Sequence, residues 1–308
     1  MTTVYLLGRI SKIAVDRLVD AGLTVKSVTN ATTFDEVDTA DYADIAGLIV
    51  QNIEPLDPRF ITELPNLKVI ARHGVGYDNI PLNLAREHNV WVTNTPGANA
   101  RAVAESGFLF TLALLRQFRD NLQTSVTPPK VQVGHYLAGK TVGIIGWGDI
   151  AQQYGHFVHA FGAEVIYWNR SEKPSDFATQ VTDLEDVLRR ADVLSLTVPD
   201  TPETHGMLSA ERFALLKPSA ILINTARGGL VDTAAMIDAL ANDRLAGAGL
   251  DVVDADDDQL TWLTAQHNVL ITNHIAIQTI ETLEDMGNAA VDNVLAALKD
   301  GQPLNPVQ

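Results

Sequence analysis

Short apolar runs rich in β-branched residues recur along the chain, and most are followed by a segment with helical spacing of apolar and charged positions. Strands of that kind, separated by helices, require crossover connections, so the alternation predicts a mostly parallel sheet with helices on its faces. In the first third, strands are predicted at residues 4–7, 47–51, 67–71 and 90–93. The loop Asn94-Thr95-Pro96-Gly97 stops this pattern, because proline and glycine forbid a continuing strand, and a long helix is predicted over residues 100–117. That loop marks the first domain boundary. After a short irregular stretch, Thr127-Pro128-Pro129 to His135, a more regular series follows Lys140, with strands predicted at 141–145, 164–168, 193–198, 221–224, 247–251 and 269–272. Such a series has the makings of a complete doubly wound sheet. The closing helix, over 280–298, has no strand left to serve in that sheet and is expected to return to the first domain.

Composition narrows the chemistry. The 308 residues, 46% of them apolar, suffice for two domains. The longest apolar runs fall far short of the roughly 20 residues of a membrane span, and the N-terminus enters a strand directly without a signal peptide, so a cytoplasmic protein is expected. With no cysteine, disulfides, thiolate metal sites and cysteine nucleophiles are excluded. No metal is expected. A net charge of −16 repels nucleic acid and anionic lipid, so any anionic ligand must be held by local positive groups.

One such place is Gly146-Trp147-Gly148-Asp149-Ile150-Ala151, between a predicted strand and a helical run. This is the G-x-G-x-x-G/A form of a dinucleotide turn. Gly146 permits the tight bend, Gly148 lets backbone approach a pyrophosphate, and Ala151 keeps helix close to strand. The pyrophosphate would rest on free N–H groups at the helix start. About 20 residues after the glycines, where an NAD-specific site places Asp or Glu, stands Asn169. Arg170, Ser171 and Lys173 follow it and offer a cation and donors for a 2′-phosphate, so NADP is the preferred cofactor and NAD the other possibility.

Several further motifs accompany this turn: 71–80 (Ala71-Arg72-His73-Gly74-Val75-Gly76-Tyr77-Asp78-Asn79-Ile80), Asn94-Thr95-Pro96-Gly97, the segment from Pro199 to Thr204, Asn224-Thr225-Ala226-Arg227-Gly228-Gly229, Gly249-Leu250-Asp251-Val252 and His274-Ile275-Ala276. With them the chain resembles the D-isomer-specific 2-hydroxyacid dehydrogenases from its first strand to the closing Pro303-Leu304-Asn305-Pro306-Val307. The resemblance implies an α/β fold of two doubly wound parallel-sheet domains, with a Rossmann cofactor domain (99–275) inserted in a flavodoxin-like substrate domain (1–98 and 276–308). It also implies a reversible hydride transfer between a nicotinamide and a small 2-keto or D-2-hydroxy acid, in a cleft between the domains.

Reducing a 2-keto acid needs an anion clamp, a polariser for the developing alkoxide, and a proton donor. Arg227 suits the first two, being permanently charged and able to make forked hydrogen bonds, and it matches the family's catalytic arginine. His274 is the proton donor by resemblance, as imidazole exchanges a proton near neutral pH. The family pairs this histidine with a glutamate, whose charge favours the imidazolium. The matching position here is Asp256, with Asp254, Asp257 and Asp258 as alternatives. His73, His135, His156, His159, His205 and His267 read as structural, His73 being nearest to a functional role. By resemblance, the N–H groups of Val75 and Gly76 form the substrate-carboxylate nest and Asp251 bonds the nicotinamide carboxamide. Ile150, Val198, Pro199, Thr204, Thr225 and Ala226 join Gly146, Gly148, Asp149, Asn169, Arg170 and Ser171 around the dinucleotide. Asp149, Thr197 and Asn273 depart from residues frequent in the family, and Asp149 is expected to weaken cofactor binding.

The resemblance also implies a homodimer formed through the helix at 100–117. Two other readings stay open. One is a phosphoglycerate dehydrogenase, which needs cations for a substrate phosphate, whereas the loop after the second strand offers Gln51-Asn52-Ile53, with Arg9 or Arg101 as possible contributors. The other is a dinucleotide-sensing corepressor, which shares the scaffold but is disfavoured by the charge. Formate and phosphite dehydrogenases share the scaffold too, and nothing singles them out.

Overall fold

The structure is a computed structural model that describes residues 2–29, 33–37, 42–51, 54–122 and 131–307. Asn52, Ile53 and the Thr127-Pro128-Pro129 stretch lie outside the described residues. The chain forms two compact units, Met1–Asn99 with Gln278–Gln308, and Ala100–Ile277. One is thus inserted in the chain of the other.

The discontinuous unit is built on β1 (Thr3–Leu7), β2 (Thr24–Val28), β3 (Ile45–Val50), β4 (Val69–Arg72) and β5 (Trp91–Thr93). They pair parallel throughout, in the order β2-β1-β3-β4-β5. This is the flavodoxin-like order, with its switch point between β1 and β3. Successive residues alternate between two cores. Tyr5, Leu7, Leu48 and Val50 pack with Phe60, Ile61 and Leu64 on one face. Val4, Leu6 and Ile49 pack on the other face with Ala14 and Leu18 and with Ala290, Val291 and Val294 of the closing helix Ile280–Asp300. Burial on both faces explains the unbroken apolar runs of β1 and β3. Strand β2 has no such run, because it is an edge strand and Lys26 and Ser27 interrupt it.

The inserted unit holds β6 (Thr141–Ile145), β7 (Glu164–Trp168), β8 (Thr179–Gln180), β9 (Val193–Leu196), β10 (Ile221–Asn224), β11 (Gly247–Leu250) and β12 (Val269–Ile271). All pair parallel in the order β12-β11-β10-β9-β6-β7-β8. Counted from β6, this is the doubly wound dinucleotide-binding order extended by one strand, and its switch point lies between β6 and β9. The helix after the first unit spans Ala100–Leu115, shorter than the predicted 100–117. It stops because Gln117 takes a left-handed backbone (φ 47°) that starts the short helix Phe118–Asn121. The Tyr154 hydroxyl, 2.7 Å from Thr111 Oγ1, ties this helix to Asp149–Ala160, and burial holds the phenol well above its usual pKa. Among the described residues no helix is long and apolar enough to cross a membrane, and no cluster of histidine and carboxylate side chains is placed to hold a metal ion.

Candidate active site

The dinucleotide turn sits at the β6/β9 switch point. Gly146 has φ 96°, and a Cβ there would stand 2.9 Å from Val198 Cγ1 and 3.0 Å from Thr197 O, so no other residue fits without displacing the chain that follows β9. Thr197 closes the same junction by donating its hydroxyl to Ile145 O at 2.9 Å. Gly148 differs. Nothing lies within 4 Å of the Cβ it lacks, and it caps the helix Asp149–Ala160 without a side-chain bond. Among the described residues, no acceptor takes the N–H groups of Gly148, Asp149 or Ile150. Open space over free N–H groups at a helix start is the environment a pyrophosphate needs, so the residues present fit a dinucleotide. Asp149 is exposed in the first turn, where its charge competes with a bound anion. Ala151 is buried, and Trp147 turns inward to stack on Tyr167 at 4.0 Å, which fixes the turn from beneath.

At the end of β7, Asn169 accepts the Trp147 N–H through Oδ1 (3.1 Å) and donates through Nδ2 to Ser171 O (2.8 Å). Lys173 Nζ reaches the Trp147 carbonyl at 3.2 Å. Arg170 and Ser171 stand exposed beside this anchored amide. Past β9, the Thr204 hydroxyl accepts the Thr201 N–H (2.8 Å) and donates to Pro199 O (2.6 Å), closing the 199–204 turn.

Arg227, Asp251 and His274 stand at the C-terminal ends of β10, β11 and β12, three neighbouring strands. Two backbone bonds and one side-chain bond link them: Asp251 N donates to Asn224 O (2.9 Å), His274 N donates to Asp251 O (2.8 Å), and Asn224 Nδ2 donates to Arg227 O (2.8 Å). Arg227 is half-buried, and its loop is wedged between two others. A Cβ on Gly228 would lie 2.4 Å from Asp254 N, and one on Gly229 would lie 2.2 Å from Asp200 Oδ2. The Ala226 N–H donates to Asn224 Oδ1 at 3.1 Å, and Thr225 is half-buried on the same turn.

His274 is half-buried and has φ 53°, a left-handed backbone that costs a non-glycine residue about 1 kcal/mol or more. Asp251 stabilises that turn. Its carboxylate is 1% exposed and accepts Thr272 Oγ1 (2.5 Å), Ile275 N (2.8 Å) and Ala276 N (3.0 Å). Three donors leave room on an ionised carboxylate for one more. This positioning role escaped the sequence reading, which assigned Asp251 a cofactor contact alone.

Asp256 is the N-cap of the helix Asp257–Ala265. Its Oδ1 accepts Gln259 N at 2.8 Å, while Gln259 Oε1 accepts the Asp256 N–H at 3.1 Å. Among the described residues its Oδ2 takes no hydrogen bond. Asp254, Asp257 and Asp258 are exposed.

In the other unit, Val75 and Gly76 follow β4. Asn94 Nδ2 holds the Val75 carbonyl (2.8 Å) and Arg72 Nε the Gly76 carbonyl (3.0 Å). Among the described residues the N–H groups of Val75 and Gly76 have no acceptor. With carbonyls fixed and N–H groups open, this loop can receive an anion.

A family model described as D-isomer specific 2-hydroxyacid dehydrogenase, NAD binding domain, matches residues 108–276. A glyoxylate reductase of Thermococcus litoralis is 36% identical over 277 residues, covering 86% of this chain and 84% of that protein. The structure of an NADPH-dependent glyoxylate/hydroxypyruvate reductase from Sinorhizobium meliloti, in complex with citrate, aligns with a TM-score of 0.90 at 28% identity, over 100% of this chain and 98% of the other. A D-isomer specific 2-hydroxyacid dehydrogenase from Lactobacillus delbrueckii ssp. bulgaricus, in its NAD complexed form, aligns with a TM-score of 0.82 at 27% identity, over 100% of both chains.

Proposed function

Because this chain belongs to the D-isomer-specific 2-hydroxyacid dehydrogenase family, and is an NAD(P)H-dependent 2-keto acid reductase on that ground, we propose how its residues divide the work. The observation that carries the assignment is the hydrogen bonding along β10, β11 and β12, which sets Arg227 and His274 at one edge of the unit that holds the dinucleotide turn. The nicotinamide, when bound, supplies or accepts the hydride. Arg227 clamps the substrate carboxylate and carbonyl, and its fixed charge stabilises the alkoxide as it develops. His274 gives that oxygen its proton and takes it back in the oxidative direction. Asp256 favours the imidazolium through the carboxylate oxygen that the helix cap leaves open. Val75 and Gly76 receive the carboxylate on their free N–H groups. Asp251 holds the His274 turn and keeps one acceptor position for the carboxamide.

NADP is the preferred cofactor in this reading. An amide at position 169, bonded on both sides, presents no negative charge to a 2′-phosphate, and Arg170 and Ser171 stand beside it. Gly146, Gly148, Asp149 and Ile150 border the pyrophosphate, while Val198, Pro199, Thr204, Thr225 and Ala226 border the nicotinamide half. The protein works in the cytoplasm as a homodimer joined through the Ala100–Leu115 helix, where Leu109 is 66% exposed. Light scattering is expected to give twice the chain mass.

The direct test mixes purified protein with NADPH or NADH and glyoxylate, hydroxypyruvate and longer 2-keto acids. Substrate-dependent loss of reduced-cofactor absorbance is expected, with kcat/KM higher for NADPH. No loss with any pair would overturn the reading.

A further inference from the structure

Arg227 is followed at once by Gly228 and Gly229, and consecutive glycines leave a chain more conformational freedom than other residues do. The loop that carries the arginine therefore needs fixing from outside. Before it, the hold is local: Asn224 Nδ2 donates to Arg227 O at 2.8 Å, and Asn224 Oδ1 accepts the Ala226 N–H at 3.1 Å. After it, the hold comes from two distant segments of the same unit. A side chain on Gly228 would collide with the backbone of Val253 and Asp254, which Thr233 Oγ1 anchors by donating to Asp254 O at 2.5 Å. A side chain on Gly229 would collide with Asp200 Oδ2 and the His205 ring. Gly229 does not have a left-handed backbone, so it is this close approach that calls for glycine there.

The segment that brings Asp200 and His205 to the loop is itself firmly seated. The Thr204 hydroxyl closes the 199–204 turn, His205 N donates to Thr201 O at 2.8 Å, and Gly206 N donates to Gly229 O at 2.7 Å. Leu208 N then donates to Leu230 O at 3.0 Å, Leu208 bridges Val231 in parallel, and all three side chains belong to the core. Within this frame His205 Nδ1 stands 3.2 Å from Asp200 Oδ1 and 3.4 Å from Oδ2. The carboxylate thus has an imidazole on one side and Gly229 on the other. Exposed pairs of this kind contribute little to stability, and the His205 side chain is 65% exposed. What the pair adds is a wall against a loop residue that has no side chain of its own.

We propose that Asp200 is a positioning residue for Arg227. Its carboxylate, set by His205, occupies the space beside Gly229 and so fixes the direction in which the arginine leaves the end of β10. The assignment rests on the reading of Arg227 as the clamp for the keto acid, and it gives His205 the part of holding the carboxylate in place.

Steady-state kinetics of the full-length protein with glyoxylate and NADPH tests this in a double-mutant cycle of Asp200→Ala with Arg227→Gln. Asp200→Ala should lower kcat/KM for glyoxylate by about tenfold or more, the scale of a reacting group displaced by about 1 Å or less. KM for glyoxylate should rise, while the NADPH dissociation constant, read from its fluorescence, should not move. In the Arg227→Gln background the same substitution should cost nothing further, because both changes act on one interaction. A lowered melting temperature with unchanged kinetics in Asp200→Ala overturns the proposal. Equal losses in the two backgrounds do so as well, and so does weaker NADPH binding that accounts for the whole loss, which would place Asp200 at the cofactor instead. If Asp200→Ala does not fold, the cycle is run with His205→Ala, which changes an exposed position and should give the same pattern with a smaller loss; no loss there also overturns it. Absence of keto acid reduction by the natural protein fails the underlying reading, whereas activity that Asp200→Ala leaves intact fails this inference alone.

Discussion

Two arginine–histidine pairs stand at strand ends in this protein, one in each unit, and their surroundings separate structure from chemistry. Arg72 and His73, at the end of β4, are 8% and 1% exposed. Arg72 donates to the carbonyls of Val50 and Gln51, both at 2.8 Å, and of Gly76 at 3.0 Å, so its charge is used to shape a loop. His73 Nε2 lies 3.3 Å from Leu283 O, its Nδ1 has no partner, and burial, with the charge of Arg72 adding to it, lowers its pKa to about 4. It is neutral at physiological pH. Arg227 and His274 stand half-buried at the ends of β10 and β12, and backbone strain at His274 is sustained by a buried aspartate. The fold holds a left-handed backbone at His274 and leaves its side chain half-buried, whereas it buries His73 fully with one ring nitrogen idle.

The sharpest way to break this contrast is to exchange the histidines' fates by mutation. His274→Asn should lower kcat by about 10²–10⁴-fold, the span of a lost general acid, and remove the corresponding limb of the pH–rate profile. His73→Gln should leave kcat unchanged. An equal loss in both variants, read in steady-state kinetics, would erase the distinction. Next in size is Arg227→Gln, expected to cost about 10²–10³ in kcat, the range for removing one preorganised donor from a developing oxyanion, while Arg72→Gln should act on stability. KM for the keto acid should also rise in Arg227→Gln.

The burial of His73 carries its own pH signature. Its folded pKa, about 4, lies below the ordinary 6.5, so between those values the unfolded chain binds more protons than the folded one. Stability is therefore full above about 6.5 and is lost as pH falls toward 4. From pH 7.5 to pH 5 this group should remove about 2 kcal/mol of unfolding free energy. Urea titrations at both values should show that extra loss in the natural protein and not in His73→Gln; parallel curves would contradict it.

The same contrast explains what could be read from the chain beforehand. Strands β1, β3, β6, β9 and β10 are buried on both faces, so their apolar runs are nearly continuous in sequence, with Ser195 the one polar residue inside β9. Strand β2 is half-exposed and β8 has two residues, so neither leaves a periodic signal. The dinucleotide turn is legible because its parts are local. Asp251 as the anchor of His274 was not, because its donors arrive 21 to 25 residues later and depend on β11 and β12 lying side by side. Arg72 carries the same lesson: its acceptors Val50 and Gln51 lie at and just after the end of β3, more than 20 residues earlier.

Asp256 offers the smallest and most discriminating effect. The spacing from Asp256 to Gln259 is that of a capping box, and both of its hydrogen bonds are formed. Asparagine caps a helix about as well as aspartate, so Asp256→Asn removes the charge and keeps the cap, whereas Asp256→Ala removes both at a cost of about 1 kcal/mol. If the open carboxylate oxygen serves His274, Asp256→Asn should keep the melting temperature and shift the histidine limb of the pH–rate profile to lower pH, since the imidazolium loses a favourable charge. A profile unmoved in Asp256→Asn, together with a lowered melting temperature in Asp256→Ala, would assign this residue to the helix end alone and leave His274 to work with no acidic partner from this turn.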